Sequence, residues 1–94
     1  MKRRSDKEIK AMTEEFYDKI WLDRHLLLRE KVENGISQAN PEIWERALKA
    51  EERIYEKYGE ENLGPYDDFD WGMLNGKLSA LRWVMGYDWD FLDT

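Results

Sequence analysis

The chain has 94 residues, 41% hydrophobic and 14% aromatic, with 38% charged and a formal net charge of −6. That is one domain's length with enough apolar side chains for a modest core, which excludes a disordered protein. The absence of cysteine and the single histidine, His25, exclude disulfides, thiolate metal sites, cysteine nucleophiles and a histidine-rich zinc site within one chain. No apolar run approaches transmembrane length and no signal-peptide pattern opens the chain, so a cytoplasmic location is the default expectation.

Ser5 with Glu8 three residues on is a capping-box pair, which starts helix 1 near Asp6. Asn34-Gly35 is its stop, so the helix is expected over about 6–33. Its apolar positions form two stripes. Ile9, Met12, Phe16, Ile20 and Leu27 read as the core seam. Tyr17, Trp21, Leu28 and Val32 form a second stripe, which meets either the C-terminal tail or another protein surface. Asp23-Arg24-His25 tempts one toward acid–base catalysis. Adjacent residues on a helix point 100° apart, so the three cannot converge on one atom, and His25 is expected on the back of the helix.

Asn40-Pro41 opens helix 2, with asparagine as cap and proline in the first turn, and Gly59 ends it, giving about 41–58. Its apolar face is Ile43, Trp44, Ala47, Leu48, Ile54, Tyr55 and Tyr58, with Glu51 lying on it. The stretch 60–67 reads as an ordered loop. Helix 3 is expected over about 68–85, capped by Asp67 or Asp68. Asn75-Gly76 is a strong turn dipeptide, but the spacing of Trp71, Leu74, Leu78, Leu81 and Met85 passes through it unbroken, which favours a continuous helix. The opposite face carries Gly72, Gly76, Ser79, Ala80 and Trp83. Two glycines inside a helix disfavour it by about 1 kcal/mol each relative to alanine, so something is expected to come close to that backbone.

These elements make an all-α fold: a three-helix bundle in a single helical domain over 1–94, with an acidic, aromatic C-terminal tail packed on it. Charges falling on the apolar seams are expected to pair, as a buried polar network of Asp23, Glu51, Asn75, Lys77 and Arg82, with Arg82 or Lys77 answering Asp23 or Glu51. Candidate binding residues are Trp71, Gly72, Gly76 and Trp83 on helix 3, and Tyr17, Trp21 and Leu28 on helix 1. No catalytic residue, metal ligand or cofactor is assigned. Asp67, Asp68 and Asp70 cap helix 3, which accounts for them without a cation.

Through Gly59 basic and acidic residues balance at 13 each, so the whole net charge lies in the last third. Direct duplex binding there would meet phosphate repulsion, so no direct nucleic-acid partner is expected. The leading expectation is a small non-enzymatic protein–protein interaction module that self-associates. One form of it is an acidic inhibitor of a nucleic-acid-binding system. Two alternatives stand beside it. The pairs Glu15–Asp18 and Glu42–Glu45 resemble, in spacing, the acids of MazG-type metal-dependent nucleotide pyrophosphohydrolases, although they point away from the seams and their order departs from that family's. An oligomeric binder of a small anionic nucleotide would use Lys77, Arg82, Trp71 and Trp83.

The segment WGMLNGKLSALRWVMG at 71–86, with DFLDT at 90–94, NLGPY at 62–66 and PEIW at 41–44, resembles a group of small prokaryotic and phage proteins. The resemblance implies a prokaryotic or phage origin and carries no assigned activity.

Overall fold

The computed structural model describes residues 1–89. They form three α-helices, α1 Asp6–Glu33, α2 Pro41–Tyr58 and α3 Asp68–Val84, with a short 3-10 turn at Glu60–Asn62. No strand occurs among the described residues. No helix among them is long and apolar enough to cross a membrane. Of the C-terminal tail expected to pack on the bundle, residues 90–94 lie outside the described residues.

The helix ends follow their side-chain chemistry. The Glu8 backbone N–H donates to Ser5 Oγ at 3.1 Å, and Glu8 Oε1 accepts from the Ser5 N–H at 3.2 Å, which completes the reciprocal box. The Ser5 N–H first, then Arg4, hold the Glu8 carboxyl below its ordinary range. At the far end of α1, the Ile36 N–H reaches the Lys31 carbonyl at 2.8 Å and the Gly35 N–H reaches Val32 at 3.1 Å. This paired closure needs Gly35 at φ 73°, where a side chain would be strained. Asn40 Oδ1 accepts from Glu42 and Ile43 to cap α2, and Asp67 Oδ1 accepts from Asp70 at 2.7 Å to cap α3.

α3 runs through Asn75-Gly76 without a break. The Asn75 amide donates to the Trp71 carbonyl at 2.9 Å, a bond along the helix that a break at this position would lose.

The chain divides into two compact units that share α1. The first contains Met1–Ile20 and the chain from Tyr66 onward. Its core is Ile20, Leu74 and Leu78, with Phe16, Tyr66 and Trp71 packed against them. The second is Trp21–Pro65. Its core is Leu22, Ile54 and Leu63, closed by Trp21, Leu26, Tyr55 and Tyr58.

The expected seam of α1 holds only in the first half, through Ile9, Phe16 and Ile20, and even there Met12 is exposed. Leu27, assigned to that seam, is exposed, while Leu22 is 2% exposed. The reason is helical phase. A step of two residues turns the direction by about 200°, so Leu22 cannot continue the series ending at Ile20. The second half has its own inward series: Leu22, His25, Leu26 and Arg29, at i, i+3, i+4 and i+7.

Candidate functional site

In the second unit, helical spacing puts His25 and Arg29 one turn apart on α1, and Glu51 of α2 meets both. His25 Nε2 lies 2.8 Å from Glu51 Oε1, and Arg29 Nη1 donates to Glu51 Oε2 at 2.5 Å. Arg29 Nε also donates to Glu33 Oε1 at 2.8 Å. Both oxygens of the buried carboxylate are thus answered. Glu33 first, then Glu51, raise the Arg29 pKa above its ordinary value. Trp21 stacks on the His25 ring, 4.7 Å between centroids and 7° from parallel, and Trp44 lies 5.3 Å away at a tilt. His25 is only 5% exposed, while Arg29 reaches the surface. The chemistry of the group is that of an internal polar tie.

This arrangement revises the expected polar network. Glu51 is buried as expected from its place on the α2 face, but its partners are His25 and Arg29. Lys77 is exposed, with its Nζ 5.9 Å from the Phe16 ring centroid, and Arg82 lies over the Tyr87 ring at 5.3 Å. Asn75 serves its own helix, as described. Asp23 sits half-buried on the wall of an open groove of about 320 Å³ together with Glu30, Glu60 and Tyr55. Burial raises the carboxyl of Asp23, and burial first, then Glu51, raises the Tyr55 hydroxyl. The expectation that His25 lies on the back of α1 fails for the same reason as Leu27: the inward side differs between the halves of the helix.

In the first unit, Trp71 packs on the core of Ile20, Leu74 and Leu78 and takes no part in the glycine face. Gly72, Gly76 and Trp83 are exposed. A Cβ built at Gly72 or Gly76 meets nothing within 4 Å among the described residues, so the close approach expected there is not made by them. Around these positions α3 carries further exposed apolar side chains. Phe69 is 73% exposed and Trp83 51%, and Met73, Val84 and Tyr87 are exposed as well. On a helical wheel Phe69, Gly72, Met73, Gly76, Ala80, Trp83 and Val84 fall within about 120°, and none is charged. Trp89, beyond the helix, stacks on Trp83 with centroids 5.1 Å apart and planes 11° from parallel.

Sequence reasoning named Gly72, Gly76 and Trp83 but left out Phe69, Met73 and Tyr87. The signal was present: Phe69, Met73, Gly76, Ala80 and Trp83 alternate steps of four and three, the spacing of a helix seam. On helix 1, Tyr17 and Leu28 are exposed, whereas Trp21 is half-buried against His25.

Among the described residues, no group of three or more His, Asp or Glu could hold a metal ion. Glu15 instead receives the Lys19 ammonium at 3.0 Å. Compared with protein-family models, curated proteins and solved structures, the chain matches none.

Proposed function

We propose that this protein is a small helical interaction module that associates with protein through the open face of α3. One observation carries the reading: an uncharged apolar strip, from Phe69 to Trp83, stays exposed on a chain that is 38% charged. Exposed aromatics on such a strip amount to several hundred Å² of apolar surface, at the upper end of what monomers tolerate without use. Glycine fits the same purpose, since Gly72 and Gly76 leave the α3 backbone open to close approach. The acidic last third accompanies this face and keeps the chain soluble. His25 and Glu51 are buried against each other, which supports a structural role for that pair.

The test is light scattering over rising concentration. The mass should exceed the single-chain 11.4 kDa, and Met73→Glu with Trp83→Glu should return it to one chain with the thermal melt retained. A wild-type mass of one chain throughout would overturn the reading.

A further inference from the structure

The α3 strip has an internal symmetry. Counting from Gly76, Phe69 lies seven residues before and Trp83 seven after, while Gly72 lies four before and Ala80 four after. Large aromatics therefore flank a centre of small residues on both sides. Two such strips are self-complementary: each aromatic end meets an aromatic end, and the small centres let the backbones approach. Resting on the association reading above, we infer that the occupant of this face is a second copy of the chain, its α3 running antiparallel, with the twofold axis near Gly76.

Area supports a second copy. Phe69, Met73, Trp83, Val84 and Tyr87 with Trp89 offer on the order of 600 Å² of apolar surface per chain. Doubled, that reaches the lower end of specific interfaces, about 1,200 Å² in total. A strip that matches itself satisfies the requirement of a closed twofold contact, where residue i meets j and j meets i.

The helix dipoles select the direction. Side by side in parallel, two copies would set like ends of their dipoles together, with the acids Asp67, Asp68 and Asp70 that open each α3 against one another. The antiparallel pair sets the start of each helix beside the end of the other and so aligns opposite ends of the two dipoles. In this register residue i lies level with residue 152 − i of the other copy, so Gly72 is level with Ala80.

The absence of cysteine from the chain makes a clean test. Gly72→Cys and Ala80→Cys are both at exposed positions, so neither disturbs the core. Under mild oxidation, a mixture of the two variants should yield covalent dimer about tenfold above either variant alone, because like positions sit eight residues, about 12 Å, apart along the axis. Efficient cross-linking of each variant with itself means a parallel pair and overturns the inference while leaving association intact. A dimeric mass with no cross-link in the mixture overturns it likewise. A wild-type mass of one chain removes the association reading itself.

Discussion

The two units that share α1 handle polarity in opposite ways. The unit of Trp21–Pro65 takes charged groups inside and answers them: Glu51 receives both His25 and Arg29, under the ring of Trp21. The unit built from 1–20 and the chain from Tyr66 onward keeps an apolar core of Ile20, Leu74 and Leu78, and leaves apolar side chains of α3 outside. Only the first buries a charged tie; both leave apolar side chains outside, Leu27, Leu28, Ile36 and Ile43 in the first and Phe69, Met73 and Trp83 in the second. The difference teaches that in a short chain with five tryptophans the useful question about an aromatic is which face of its helix is already taken.

Five substitutions would break or sharpen this contrast. The largest effect is expected from Ile54→Ala, because Ile54 is 1% exposed at the centre of the second core. It should cost about 3–4 kcal/mol in a urea melt, and a cost below about 1 kcal/mol would mean that core does not hold the unit. Next comes Glu51→Ala, which leaves His25 and Arg29 facing a void. Because Arg29 is partly exposed and keeps Glu33, about 2–3 kcal/mol is expected, less than for a wholly buried pair. An unchanged melting midpoint would show that the tie contributes nothing. In the other unit the sign reverses. Gly76→Ala should raise the stability of a dilute sample, by up to about 1 kcal/mol, since the added methyl meets nothing among the described residues. Destabilisation there would show that the chain itself presses on that face.

The smallest effects are electrostatic and carry opposite signs. Burial raises Asp23, so the stability linked to it is present below its unfolded pKa and is lost as pH rises through the folded value. Asp23→Asn should therefore be the more stable form at pH 7, with the gap closing below about pH 4. Glu8 is lowered, so its contribution is present above the unfolded pKa and disappears as pH falls through the folded one. Glu8→Gln should lose a little stability at pH 7 and match the parent in acid. Melting midpoints across that pH range check both.

Much of this architecture is legible in the residues because it is local. Ser5 with Glu8, Asn40 before Pro41, Asp67 and Gly35 mark helix ends through bonds that span three to five residues, and the observed ends follow. Continuity of α3 follows from its apolar spacing. What pattern reading missed depends on contacts between distant segments. It placed Glu51 on an inward face correctly, since that needs only the phase of α2. It misassigned the partners because it carried one seam along all 28 residues of α1, and that seam excludes Leu22 and His25. The α3 face was half read: its glycines drew notice, while Phe69 and Met73 were passed over because attention stayed on the buried side.

One helix serving two units has a consequence for the order in which the molecule is built. The contacts of α1 with α2 join residues about 26 apart, as between His25 and Glu51. Those of Ile20 with Leu74 and Leu78 close a loop roughly twice as long, at an added entropic cost of about 0.6 kcal/mol. On a ribosome every residue up to Pro65 emerges before Leu74 exists. The middle of the chain should therefore assemble first and present the leading half of α1 as a ready-made template on which α3 condenses last. Folding kinetics of Ile54→Ala and Leu78→Ala variants should divide accordingly, the former slowing folding and the latter mainly hastening unfolding.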